Sequence, residues 1–326
     1  MFKSSHNRTL HLIIPDLLSR KFDLILPNLS QLLSRATIKA WQQSDFYTTL
    51  FQLFNLPTQQ PLPIAPITYL IDANEKESAI WLRADPAHLY ADRDRVLLFD
   101  QQMGLTITQT EADQLVHELN TFYQTEDFTF FATTPYHWYC RLTKQPDLLT
   151  TPYPQVIGKD IYQYMPQGQD HQYWRQILNE IQMLFHQSYI NHNRENNQLL
   201  TINSVWFWGV GQLPQAPKST WTQVYSNDEM VQGLAKLTQT PCDVVTDSQL
   251  FSQLETGDYL LTLSIETDWQ TGLKSLEKQW FEPIMTLLKQ GQFQKIRLYP
   301  CDKRIFEITP VQTYQLWRRQ SWQNFV

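Results

Sequence analysis

Asp16, Asp268 and Asp302 each stand just past a segment that reads as a β-strand, and Gly209 and Gly211 close another. In an alternating α/β chain the carboxyl ends of strands are where ligands collect, so these are the positions at which chemistry would sit. A second group is basic: Arg83, His88, Arg93 and Arg95 crowd into "RADPAHLYADRDR" (83–95). A guanidinium fork matches a phosphate or a carboxylate, which makes Arg83 with His88 a candidate ligand pair. The alternation Asp92-Arg93-Asp94-Arg95 reads instead as a solvated hairpin whose charges pair with each other. In a third group, "HQSYINHNRE", His186 and His192 bracket Asn191 and Arg194. A spacing of six does not put both imidazoles on one helical face, so they read as polar pocket or loop residues.

The elements that would position these groups alternate along the chain. "LHLII" (10–14) reads as a strand, and "PNLSQLLSRA" opens with Pro27 at a helix start. A helix is expected from Ser44 through Phe54, with Ser44 or Asp45 able to cap it, and the Pro-rich 56–66 stretch reads as a linker. The middle is β-rich, with "ITYLI", "AIWLRA", "RVLLF", "FTFFA" and "YHWYCRL" as strands and an amphipathic helix around "TEADQLVHELNTFY". A helix over "DHQYWRQILNEIQMLFHQ" follows. "INSVWFWGVGQLP" (202–214) then offers either a buried strand that ends in a glycine turn or the rim of a site. The last third returns to α/β rhythm, with helices near 228–237 and over 273–290 and strands at "DYLLTLSIE", "QKIRLYP" and "RIFEIT". The expected fold is α/β, with residues 1–65 and 200–326 as one discontinuous core and 66–199 as an inserted α+β module.

Composition narrows the function classes. With 326 residues, 42% of them hydrophobic, the chain can bury a sizeable core. A net charge of −6 leaves no general footprint for nucleic acid, so such contact is expected only through the aromatic-basic tail "YQLWRRQSWQNF". In that tail Tyr314 and Trp317 stand at helical spacing, which suits a terminal helix docked on the core or a partner contact by stacking and charge. Cys140, Cys242 and Cys301 are far apart and form no CxxC pair, which points to a reducing cytoplasm. No run approaches the ~20 apolar residues of a membrane helix. There is no P-loop, no GxSxG and no dinucleotide fingerprint after the first strand, so nucleotide cofactors and an ordinary hydrolase triad are unsupported.

Several of these stretches resemble one family. "IIPD", "LPNLSQLL", "SDFYTTLFQLFNLP", "WLRADPAHLYADRDRVLLFD" and, most specifically, "HQSYINHNRENNQLLTINSVWFWGVGQLP" are similar to motifs of the cofactor-independent phosphoglycerate mutases of the archaeal type. Those enzymes are members of the alkaline phosphatase superfamily, and the chain resembles more closely a bacterial branch, the RpfE-type regulatory proteins. The resemblance implies an alkaline phosphatase-like core and Ser44 as the phosphorylated nucleophile. It implies Asp16, Asp268 and Asp302 as metal ligands, and Arg83, His88, His186, Arg194, Asn203, Gly209 and Gly211 around a ligand. Arg83 and Arg194 are expected to line a common cleft.

The chain departs from the pattern where the metal chemistry lies. All eight histidines fall at or before His192, whereas the family's metal histidines come from the C-terminal third. Gly272-Leu273 and Lys303 stand in two of those neighbourhoods, and Trp208 replaces the family's Arg before the glycine. The expectation is a phosphoglycerate mutase-like protein with a degenerate metal site, non-catalytic and regulatory or ligand-binding. The alternative is an active metal-dependent phosphotransferase with a changed metal site. No cofactor is expected, apart from Mg²⁺ if the remaining carboxylates and the Ser44 hydroxyl form an oxygen-only site. A small phosphorylated ligand and a protein partner are the expected contacts.

Overall fold

A computed structural model describes residues 8–253, 255–265, 268–315 and 317–326. In chain order the elements are β1 (Arg8–Ile13), α1 (Pro27–Arg35), β2 (Thr37–Ala40), α2 (Phe46–Leu53), α3 (Ile64–Asp72), β3 (Ile80–Asp92) and β4 (Arg95–Phe99). There follow α4 (Gln109–Phe122), β5 (Phe128–Ala132), β6 (Trp138–Leu142), α5 (His171–Gln187), α6 (Tyr189–Asn196) and β7 (Ser204–Gln212). The last third holds β8 (Gln223–Tyr225), α7 (Glu229–Leu237), β9 (Cys242–Asp243), β10 (Gly257–Thr262), α8 (Trp269–Leu276), α9 (Glu282–Lys289), β11 (Lys295–Tyr299) and β12 (Arg304–Ile308).

The chain divides into a first unit, Met1–Thr58 with Ala216–Val326, and a second unit, Gln59–Gln215. The sequence reading drew the second unit at 66–199, and the difference lies in β7. That strand was expected in the core, yet it pairs antiparallel with β3 from Ser204 opposite Ala87 to Gln212 opposite Ile80. "ITYLI" was expected as a strand and is the body of α3. Its β-branched residues favour a strand locally, but Ile64 through Leu70 are all buried, and a helix apolar on every side is stable when enclosed.

The first unit is built on a seven-stranded sheet in the order β2-β12-β11-β1-β10-β8-β9. The strands from β11 to β9 are parallel, while β12 and β2 join antiparallel. Leu10 and Leu12 of β1 and Ile296 and Leu298 of β11 face a core shared with α1, α8 and α9. The helix expected over 273–290 is α8 and α9 joined by a π-helical turn, Glu277–Phe281. That turn places the Glu277 carboxylate against the start of α1, where it accepts from the Asn28 N–H at 2.7 Å and the Leu29 N–H at 3.1 Å. It thereby satisfies free N–H groups of a helix that has no side-chain cap of its own.

His11 lies on the opposite face of β1, 6% exposed, and its Nδ1 is hydrogen-bonded with the Tyr299 hydroxyl at 2.9 Å. Burial first, then the charges of Arg297 and Lys295, lower its pKa to about 3. A folded-state pKa below the unfolded value means that the contribution is complete above about pH 6.5 and is lost as the pH falls toward 3. Glu307 acts in the same sense at lower pH, because Lys39 and Arg297 outweigh its partial burial and hold it at about 2. Asp228, raised by burial to about 6, opposes both as it protonates. We predict that the wild-type stability falls between pH 7 and pH 4.5 more steeply than that of His11→Gln, by roughly 2–3 kcal/mol. Parallel pH profiles by calorimetry would contradict the buried neutral imidazole.

Candidate functional site

The carboxyl edge of the parallel strands in the first unit gathers most of the residues singled out around Ser44. Asp16 follows β1 in an exposed turn with φ 60°, and Cys301 and Lys303 follow β11 with φ 61° and 69°. Three non-glycine residues in the left-handed region within two adjacent loops mean that tertiary contacts override a local cost of roughly 1–2 kcal/mol each. Backbone pairing ties the second loop to the segment before Ser44, since the Trp41 N–H donates to Lys303 O at 2.8 Å and the Lys303 N–H to Gln43 O at 3.2 Å. Ser44 itself is exposed, and it is Asp45, not Ser44, that caps α2, accepting from the Thr48 N–H at 3.0 Å.

The carboxylates of this edge are bound to protein donors. Asp302 Oδ2 accepts from Arg304 Nε at 2.9 Å and from its Nη2, and Oδ1 accepts from the Arg304 N–H at 3.2 Å. Asp268 caps α8, accepting from the Gln270 N–H and from the Thr271 hydroxyl, which lowers its pKa. Among the described residues, Asp16, Asp268 and Asp302 do not assemble as a donor set. The buried Cys301 thiol is pushed up to about 12 by its burial, against the Thr49 hydroxyl and with the charges of Asp45, Asp16 and Asp302 adding to the rise. It stays protonated at neutral pH and offers no thiolate. A Mg²⁺ or Mn²⁺ ion would therefore have to compete with the Arg304 guanidinium for Asp302 Oδ2 and meet Lys303 beside it. The residues present do not fit a two-metal centre.

In the second unit the resemblance-derived residues turn out to hold backbone together. Asn191 is 2% exposed; its amide accepts from the Ile202 N–H and donates to Ile202 O and Phe185 O, each at 2.8 Å. Asn203 brackets Leu89 in the same way, accepting from its N–H at 2.7 Å and donating to its carbonyl at 3.0 Å. Arg194 is 1% exposed and donates to Leu200 O, Thr106 O and the Glu111 carboxylate, the last at 2.7 Å. His88 is half-buried against Thr201 O at 2.9 Å, and burial lowers its pKa. His186 is exposed at the end of α5. The Asp92–Arg95 run closes the β3–β4 turn with one internal ion pair of 2.8 Å.

Gly209 and Gly211 permit a close approach of backbone. A Cβ on Gly211 would lie 2.5 Å from Pro63 Cβ, and one on Gly209, whose φ is 69°, would lie 2.8 Å from Ile64 Cβ. The glycines let the start of α3 pack directly on β7, and of the two readings open for "WFWGVG" the buried strand is the one realised.

Arg83 was expected to share a cleft with Arg194, and the structure instead encloses each in its own network. Trp81, Arg83 and Asp85 alternate with Ile80, Leu82 and Ala84 along β3, so the first three face α3 while the others face the core under α4 and α5. Asp85 accepts from Arg83 Nε at 2.9 Å, Trp208 Nε1 at 2.7 Å and the Trp138 N–H at 3.1 Å. Arg83 continues to the Tyr139 hydroxyl at 3.1 Å and lies over the Tyr139 and Trp208 rings. Tyr139 donates to Asp72 at 2.6 Å, which also meets His137 Nδ1 at 2.8 Å. Sequence reasoning missed Asp85, Tyr139, Asp72 and His137 as a set. Its one available signal was an Arg and an Asp two apart, hence on one strand face, inside an otherwise apolar run.

If Arg194 is a structural clamp, Arg194→Met costs stability: three acceptors lose their donor in a buried place, roughly 3–4 kcal/mol. Urea unfolding measures this. A cost below about 1 kcal/mol would return Arg194 to the ligand-facing role.

No family model matches the chain. A 2,3-bisphosphoglycerate-independent phosphoglycerate mutase of Methanothrix thermoacetophila is 29% identical over 72 residues, which is 22% of this chain and 18% of that relative's length. Among solved structures, the cofactor-independent phosphoglycerate mutase of Thermoplasma acidophilum aligns with 15% identity and a TM-score of 0.46, covering 92% of this chain and 89% of that one. The PH0037 protein of Pyrococcus horikoshii aligns with 12% identity and a TM-score of 0.55, covering 93% of this chain and 87% of that one. With this last likeness the fold is placed: the chain shares the α/β fold of the PH0037 protein, with a mixed seven-stranded sheet in the first unit and a second, α+β unit.

Proposed function

We propose that this chain is a phosphoglycerate mutase-like protein of the RpfE-type regulatory branch that carries out no metal-dependent phosphoryl transfer and acts by binding, in the cytoplasm, a small phosphorylated ligand or a protein partner. The observation that carries the reading is the engagement of Asp302 by Arg304, with Lys303 exposed beside it. A cation site has been replaced by fixed positive charge, which still suits a phosphate but not a dication. The absence of any histidine after His192 supports the same reading. Among the described residues no helix is long and apolar enough to cross a membrane.

The second reading, a working phosphotransferase with Ser44 as nucleophile, is favoured by one specific feature: capping leaves the Ser44 hydroxyl unused at the N-terminal end of α2. Metal analysis separates the two. After dialysis against Mn²⁺ and Zn²⁺, the protein is expected to retain less than one tenth of an equivalent of either. Stoichiometric retention that is lost in Asp302→Ala would establish the second reading.

A further inference from the structure

The C-terminal segment was expected as a helix docked on the core, and it is not one. Two short 3₁₀ turns, Val311–Tyr314 and Trp322–Phe325, wrap it over α1. Its far end is anchored by Trp322, which is fully buried and donates from its indole to Leu24 O at 3.1 Å, and by Gln323, which reaches Phe22 O at 2.7 Å; nearer, Thr313 is buried and the Ser34 hydroxyl donates to Arg318 O at 3.2 Å. The rest of the nearer part faces outward, with Val311 76%, Tyr314 64% and Trp317 78% exposed. Arg318 and Arg319 follow directly and are exposed as well.

Under this segment lies Arg35, the last residue of α1, only 7% exposed. Its Nη1 donates to Thr313 O, but its Nε has no acceptor. The Arg319 guanidinium is close enough to lower the Arg35 pKa, after burial, which has the larger effect. Among the described residues no carboxylate pairs with Arg35, Arg318 or Arg319. A buried donor without a partner costs roughly 1–3 kcal/mol, and the positive charge of Arg319 adds repulsion. An anion arriving from outside meets the exposed Arg318 and Arg319 and offsets that repulsion.

We propose that this corner, Arg35 and Arg319 with Arg318, Val311, Tyr314 and Trp317 beside them, is a docking surface for an acidic segment of a partner protein. The segment's carboxylates take the guanidiniums, and its apolar side chains cover the two rings. Trp, Tyr and Arg are the residues that dominate interface energies, and here they are adjacent, exposed and unneutralised. A carboxylate-bearing chain fits better than single-stranded nucleic acid, because three guanidiniums do not make a groove that tracks several phosphates. The net charge of −6 would also repel such a strand. The proposal stands independently of the metal question, since no residue of the Ser44 region takes part.

The test uses the full chain and a fluorescein-labelled octapeptide of alternating Glu and Phe, followed by anisotropy at low and high salt. Saturable binding is expected, weakened by salt, absent for the Lys and Phe counterpart, and at least tenfold weaker in Trp317→Ala and in Arg318→Ala/Arg319→Ala. Lys144→Ala, an exposed position in the second unit, is expected to bind as the wild type does. The three replaced side chains are solvent-exposed, so melting curves are expected to stay unchanged and report folded protein. Absence of binding, or equal binding by the variants, overturns the proposal. So does tighter binding of an eight-residue oligothymidylate, or a dimer in sedimentation that Trp317→Ala dissociates, since either assigns the surface to a different occupant.

Discussion

Supplied with Mn²⁺ or Mg²⁺, the purified protein is expected to interconvert 2- and 3-phosphoglycerate no faster than a protein-free control. A serine hydroxyl at neutral pH is a poor nucleophile, and in a two-metal centre the dications both lower its pKa and receive the charge that develops on phosphate. Removing one such electrostatic contact typically costs about 3–4 kcal/mol. Enzymes supply ~8–23 kcal/mol in total, so losing several contacts together removes most of the acceleration. Here Asp302 is held by Arg304, Asp268 is the cap of α8, and the Cys301 thiol is pushed up to about 12 by its burial among carboxylates. On the proposed reading, Ser44 is left without the two-metal activation that its attack on phosphate would need. A coupled assay with either phosphoglycerate as substrate checks this. Turnover that requires added metal and disappears in Ser44→Ala would reverse the assignment.

The second large effect concerns the second unit. Asp85→Ala is expected to cost that unit about 3–5 kcal/mol, because it leaves a buried guanidinium without its carboxylate and strands two further donors. Arg83 and Asp85 are 2% and 3% exposed, and the Trp208 indole and the Trp138 N–H both donate to the Asp85 carboxylate. For a unit of this size the loss corresponds to a fall in melting temperature of roughly 10 °C or more. Arg83→Met/Asp85→Leu is expected to be milder than Asp85→Ala alone, since it removes both charges and fills the space. Calorimetry on the three proteins measures the difference. A double variant worse than the single would mean that Arg83 is held chiefly by Tyr139 and its neighbours, with Asp85 secondary.

The two expectations divide along the line between what local pattern can and cannot encode. Periodicity sufficed for β1, α1, α4, α5, β10, β11 and β12, because a side chain's apolar or polar character repeats with the geometry of its own element, whereas the short β8 and β9 went unread. The α/β class and the insertion followed from that alternation. That no histidine follows His192 was legible too, since composition needs no coordinates.

Partnership across the chain was not legible. Glu277 serves Asn28 and Leu29 some 250 residues away, and Asp85 serves Trp208 across a strand pair. Whether Asp302 met a metal or a guanidinium depended on the rotamer of Arg304, and whether Gly211 was a turn or a contact depended on where Pro63 came to rest. The segment 67–71 shows the same division, being strand-like in composition yet helical because burial on every side repays a helix whose own propensity is modest. Sequence by itself determined which elements form and which chemistries lack their residues. Tertiary structure alone decided which polar groups consume one another, because in a low-dielectric interior every donor and carboxylate must find a partner, and the nearest one in space is seldom the nearest in sequence.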